Sequence, residues 1–172
     1  MELLNKYEKE ANVQDYSGQP EIEGVRIHSL KRFNDETGAF TELFRLEKGK
    51  AEDISDFNLK QINISKLDGQ MMKAFHIHKI QTDIWFVPPD NKILLILADL
   101  RKNSPTSKNI MRMILGAGAS KLVVIPPGIA HGCKNLLNEQ GEIIYFINNQ
   151  FDPEPENCDE WRLPWDMFGK DL

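Results

Sequence analysis

Three of the four histidines in the chain fall at spacings that suit chemistry. Met72-Lys73-Ala74-Phe75-His76-Ile77-His78 reads as a strand. Alternate side chains of an extended chain share a face, so His76 and His78 point together, and Lys73 takes the opposite phase unless a bulge intervenes. Pro126-Pro127-Gly128-Ile129-Ala130-His131, followed by Asn135, reads as a strand end, a glycine-assisted turn and a returning strand that carries His131. A lone histidine in such a setting is ordinarily a hydrogen-bonded core residue. An HxH pair with a distant PxGxxHxxxN points instead to a shared histidine site.

The elements that must hold this site are short and β-prone: 25–30, 39–46, 57–64, 72–78, 84–87, 92–100, 121–125 and 143–147. Turn signals separate them, among them Leu67-Asp68-Gly69, Pro88-Pro89-Asp90-Asn91, Gly116-Ala117-Gly118 and Gln140-Gly141. Many short strands punctuated by Gly and Pro predict an all-β sandwich or barrel, and no intervening stretch is long enough for a crossover helix. Residues 1–24 read as an N-terminal arm in which Leu3, Leu4 and Tyr7 have helix-compatible spacing. Residues 156–172, rich in Trp, Pro and acids, read as an irregular or short helical cap on the strands of 25–155.

The 172 residues suit one domain, and an apolar content of 41% is enough for a core. A net charge of −5 without any basic block argues against nucleic acid. The longest apolar runs are far too short to span a bilayer, and the N-terminus carries no signal-peptide pattern. Two cysteines, Cys133 and Cys158, form neither a CxxC nor a disulfide framework, which suits a reducing cytoplasm.

Pro126-x-Gly128-x2-His131-x3-Asn135 resembles the second cupin motif, and Gly69, His76, His78 and Asp83 resemble the first, with Asp where Glu is usual. The expected fold is therefore a cupin jelly roll, a double-stranded β-helix with short helical or irregular terminal segments. More specifically, residues 25–155 resemble the dTDP-4-dehydrorhamnose 3,5-epimerase family. The likeness is carried by Gly38-Ala39-Phe40-Thr41-Glu42, Gln61-Ile62-Asn63-Ile64-Ser65, Asp99-Leu100-Arg101-Lys102-Asn103-Ser104-Pro105-Thr106, Ile125-Pro126-Pro127-Gly128-Ile129-Ala130-His131-Gly132, and Tyr145.

The resemblance implies inversion at C3, C5 or both beside the C4 ketone of a nucleotide-linked 4-keto-6-deoxy sugar. That reaction needs a base on one face, donors around the C4 oxygen and an acid on the other face, and no cofactor. By alignment His76 is the base and Tyr145 the acid. Phe40, Glu42, Gln61, Asn63, Lys73 and His131 are implied substrate contacts, and a homodimer is implied. Three departures stand out: Thr37 and Lys73 replace arginines, and Asp83 replaces a lysine. Arg101 or Arg112 are candidate replacement cations, and Asp83 a candidate for orienting His76, since Lys170-Asp171 comes early for the family's orienting Asp. The same departures open an alternative, in which His76, His78, Asp83 and His131 hold a divalent metal. A non-catalytic nucleotide-sugar binder is the third reading.

Overall fold

Hydrophobic alternation and turn chemistry resolve into fifteen strands and one short helix among the described residues, which in this computed structural model are 4–13, 18 and 20–168. In chain order these are α1 (Asn5–Glu8), β1 (Arg26–Ser29), β2 (Arg32–Asp35), β3 (Gly38–Thr41), β4 (Leu46–Glu47), β5 (Lys50–Ala51), β6 (Ile54–Asn58), β7 (Gln61–Leu67) and β8 (Met72–Ile77). There follow β9 (Asp83–Phe86), β10 (Lys92–Asp99), β11 (Ile110–Gly116), β12 (Lys121–Ile125), β13 (Ile129–Asn135), β14 (Gly141–Ile147) and β15 (Trp161–Arg162). Two five-stranded antiparallel sheets make the cupin jelly roll, ordered β1-β12-β9-β14-β7 and β11-β10-β13-β8-β15. β2 and β3 form a separate hairpin, and β4, β5 and β6 a small third sheet.

The central strands β9 and β12 of the first sheet are buried on both faces, which is why they read as near-continuous apolar runs. Trp85, Val87, Val123 and Ile125 face the interior with Leu95, Leu97 and Ile129 of the second sheet. Ile84, Phe86, Leu122 and Val124 face outward and are covered by Ala51, Ile54 and Phe57. Each fully buried side chain of that size contributes roughly 1.5–3 kcal/mol. The segment 43–59 therefore serves as an outer apolar lid on the sheet that carries Asp83 and Tyr145.

Several boundaries differ from the sequence reading. The run 39–46 breaks between Thr41 and Leu46, and 57–64 breaks after Asn58, where Leu59 hydrogen-bonds Gly49 and Lys60 hydrogen-bonds Ile147. β11 had no clear β signal, because its Met-Arg-Met sequence lies half exposed on a sheet edge. The N-terminal arm contains one exposed helical turn, with Leu3 and Tyr16 outside the described residues. The described part of the C-terminal segment is irregular rather than helical, and its two-residue β15 adds to the edge of β8, where Trp161 pairs with Ile77 and Arg162 with His76. Lys170 and Asp171 lie outside the described residues. No helix among the described residues is long and apolar enough to cross a membrane.

Candidate active site

The inward faces of β7, β8, β9, β13 and β14 leave a cavity of about 560 Å³. Its lining includes Gln61, Asn63, Lys73, His76, His78, Asp83, His131 and Tyr145. Most residues singled out from the sequence are thus brought together. Phe40 and Glu42 are not: Phe40 is exposed at the end of the β2–β3 hairpin, and Glu42 pairs with Arg45 at 3.0 Å.

Lys73 lies on the same side as His76, against the simple alternation of a strand. His131 pairs with His76, but Cys133 pairs with Lys73, so two steps along β13 match three along β8. This β-bulge at Ala74-Phe75 resets the phase. Phe75 turns away and packs edge-on against Phe168, leaving Lys73 on the cavity side. Gly132 permits the bulge. A Cβ there would stand 2.6 Å from the Ala74 Cβ and 2.8 Å from the Phe75 ring. The Lys73 ammonium donates a hydrogen bond to the Ser65 hydroxyl.

His76 is half-buried, with Nδ1 3.8 Å from a Glu160 carboxylate oxygen. Burial lowers its pKa below the ordinary histidine value, with Glu160 pulling the other way and Arg162 adding to the fall. His76 is thereby neutral, with a free lone pair, at neutral pH. Asp83 does not orient it. That carboxylate accepts hydrogen bonds from Gln81 (2.7 Å) and Trp85 (3.2 Å) and faces His131 and His78 at 3.6 and 3.9 Å.

His78 and His131 are fixed by backbone. Nδ1 of His78 lies 2.9 Å from the Asp159 carbonyl and Nδ1 of His131 lies 3.1 Å from the Ile129 carbonyl. A carbonyl only accepts, so both rings carry their proton on Nδ1 and turn Nε2 toward the cavity. Burial pushes His131 down to about 4, against the opposing pull of Asp83. The rings of His78 and His131 stack at 5.3 Å, and Trp85 meets His131 edge-on.

A divalent metal has a set of donors that suits it. His78, Asp83 and His131 each offer one ligand atom, all within 4.8 Å of one another. Two imidazoles and a carboxylate suit a first-row ion, and Nδ1–H bonds to carbonyls are the outer contacts such ligands use. His76, the fourth residue of the expected set, turns to Glu160 instead.

Tyr145 comes from the opposite sheet. It pairs with Trp85 on β9 and Asn63 on β7, and its ring lies 5.0 Å from that of Trp85. Burial raises its pKa, so the phenol stays protonated and able to donate. Cys133, at the cavity wall, is pushed up to about 12 by burial and is an inert thiol.

The cations expected to replace the missing arginines do not reach the cavity. Arg101 is spent on Asp99 (2.9 Å) and the Glu23 carbonyl (2.7 Å), and neither it nor Arg112 lines the site. Arg162 does line it, beside Glu160 at 2.9 Å. Glu160 and Arg162 were missed from sequence because no motif marks them. The nearest signal was the cluster of acids before Trp161. Asn135 proves structural: its amide bonds the Leu67, Asp68 and Glu139 carbonyls and ties the 136–140 turn to the end of β7.

Residues 19–165 match the family model described as dTDP-4-dehydrorhamnose 3,5-epimerase. The chain is 34% identical over 145 residues to the spore coat polysaccharide biosynthesis protein SpsL of Bacillus subtilis, covering 84% of this chain and 91% of that protein. It is 26% identical to the dTDP-4-dehydrorhamnose 3,5-epimerase of Pseudomonas aeruginosa, over 83% of this chain and 79% of the relative. The crystal structure of dTDP-4-dehydrorhamnose 3,5-epimerase from Sulfolobus tokodaii superposes with a TM-score of 0.70 at 31% identity, covering 83% of this chain and 78% of that one.

Proposed function

The chain belongs to the dTDP-4-dehydrorhamnose 3,5-epimerase family, and from that premise we propose that His76 is the base and Tyr145 the acid of a sugar-nucleotide epimerase. The substrate is a nucleotide-linked 4-keto-6-deoxy sugar. It is inverted at C3, C5 or both, beside the C4 ketone.

One observation carries this reading: His76 and Tyr145 rise from different sheets into one cavity. A sugar ring held between them presents one face to a neutral imidazole and the other to a protonated phenol. His76 removes the proton next to the carbonyl, His131 and its neighbours line the side where the C4 oxygen lies, and Tyr145 returns a proton from the far face. Gln61 and Asn63, joined at 2.8 Å, offer amides to the sugar or phosphate. The test is incubation with dTDP-, UDP- and GDP-linked 4-keto-6-deoxy sugars in deuterated water. Deuterium at C3 or C5 with inverted product is expected, and His76→Asn should abolish both in a folded protein. No incorporation with any of the three, or wild-type exchange in the variant, would overturn the reading.

A homodimer fits the placement of Phe40 and Glu42. They stand outside their own cavity, on a hairpin that exposes Phe33 and Phe40, while edge strand β7 exposes Ile62 and Ile64. A second copy covering these apolar positions would carry the hairpin to its partner's site. Light scattering should find a dimer that Phe40→Asp weakens, and a stable monomer would contradict it.

The converging His78, Asp83 and His131 donors support a second reading, a divalent cation at that corner. When bound it would supply Lewis-acid polarisation of the C4 oxygen. Metal analysis of protein purified without chelator, with thermal stability before and after chelation, tests it. A stoichiometric metal whose removal lowers Tm supports it, and metal-free protein with unchanged Tm counts against it.

A further inference from the structure

We propose that Lys73 and Ser65 form a proton relay behind Tyr145, restoring the phenol's proton after each inversion. The inference rests on the assignment of Tyr145 as the acid. The bulge in β8 brings Lys73 to the cavity side, where its ammonium donates to the Ser65 hydroxyl. Asn63 is the register partner of Tyr145, and Ser65, two residues along β7, is its diagonal neighbour on the same inward face. There the Ser65 hydroxyl faces the phenol closely enough to work against the burial that raises its pKa. The three groups follow one another in order along this wall: ammonium, hydroxyl, phenol.

The chemistry of the acid gives such an arrangement a use. Burial raises the phenol's pKa, and the other ionisable groups facing it, Cys133 on β13, Asp83 on β9 and Glu160 before β15, push the same way. Once its proton has gone to the sugar, the phenolate is a strong base in a poorly solvated place. The Ser65 hydroxyl passes its proton to the phenolate oxygen, and the Lys73 ammonium passes one to Ser65. Solvent then reprotonates Lys73, while His76 releases the proton it took. One C–H bond breaks and another forms, and no proton is gained or lost overall.

A lysine can do this where an arginine cannot, because a guanidinium does not give up its proton in proteins. Lys73, which the resemblance implies as a substrate contact in place of an arginine, thereby acquires a further role.

The experiment compares Lys73→Met, Lys73→Arg, Ser65→Ala and Ser65→Thr in two measurements. In the first, inverted product and exchange of the α-proton with solvent are followed together. Loss of the relay should lower inversion about 10- to 100-fold in Lys73→Met, Lys73→Arg and Ser65→Ala, leave exchange at His76 and KM near wild type, and be repaired in Ser65→Thr. Exchange and inversion falling together with raised KM would assign Lys73 to substrate binding and overturn the relay, as would unchanged inversion. The second measurement needs no turnover. With 3,5-difluorotyrosine at position 145, which brings the phenol into an accessible range, Lys73→Met and Ser65→Ala should each raise its titration midpoint by about one pH unit or more. An unmoved midpoint overturns the relay. If the parent neither exchanges nor inverts, the epimerase reading fails while this titration still decides whether the three groups are coupled.

Discussion

Glu160 presents a carboxylate oxygen 3.8 Å from Nδ1 of His76, across the junction of β8 and β15. The partner of the proposed base therefore arrives from a segment 84 residues downstream of it. A carboxylate there favours the ring orientation and tautomer in which Nε2 is free, and steadies the imidazolium once formed. Glu160→Gln should slow α-proton exchange about 10- to 100-fold through kcat, with KM little changed, because the amide keeps the shape and loses the charge. A purely structural Glu160 would show a lowered Tm with full activity per folded molecule.

Tyr145→Phe separates acid from base. Removing only the hydroxyl keeps the ring against Trp85, so stability should change little. Inverted product should fall by roughly 10²–10⁴ while solvent exchange continues, since His76 still removes a proton and returns one to the same face. Equal loss of both would show that the phenol acts before the enolate forms.

Gly132→Ala tests the bulge. The added methyl would meet Ala74 at 2.6 Å and Phe75 at 2.8 Å, so β8 must shift or the core must open. Overpacking of this kind costs about 1–3 kcal/mol. The shift would carry Lys73 and His76 with it, so activity should fall further than Tm alone accounts for. Cys133→Ala, on the same strand but without a clash, should lower Tm modestly and leave activity per folded molecule intact.

Asp99 gives the fold a pH signature. It is fully buried, and burial alone would raise its pKa, but hydrogen bonds from Arg101, Ser104 and Thr106 outweigh that and hold it well below the usual carboxylate range. A depressed folded pKa means that the stabilisation is complete above the ordinary aspartate range and is lost as pH falls toward the folded value. Asp99→Asn should cost about 3 kcal/mol at neutral pH, since it leaves Arg101 without its counter-ion. Denaturant midpoints at pH 7 and pH 3 should also lie closer together in the variant than in the parent.

The strands and the histidine cluster were legible because each depends on local pattern. His76 lies on β8 and His78 continues its alternation just past the strand's end, and Gly128 returns the chain so that His131 stands opposite His76. Gln61, Asn63 and Tyr145 fall on inward positions of paired strands and reach the cavity as expected. What was not legible depends on register or on distant chain. Lys73 changes side through a bulge that only its pairing with β13 reveals. Asp83, by contrast, is grouped with His78 and His131 by motif and β9 does carry it to them, while Glu160 reaches His76 only through β15. Phe40 and Glu42 matched a familiar string, but their hairpin leaves the barrel.

The last short strand also has a consequence for the protein's lifetime. Asp159 ties the 79–81 turn down with three backbone hydrogen bonds and β15 covers the open edge of β8. A protease cut before residue 159 would remove both ties. It would take Glu160 from His76 and bare a row of unpaired amides and carbonyls, a template for chain-to-chain association. Damage to the tail should thus lower the proposed activity and make the protein sticky in one stroke, so that such molecules leave solution by their own aggregation.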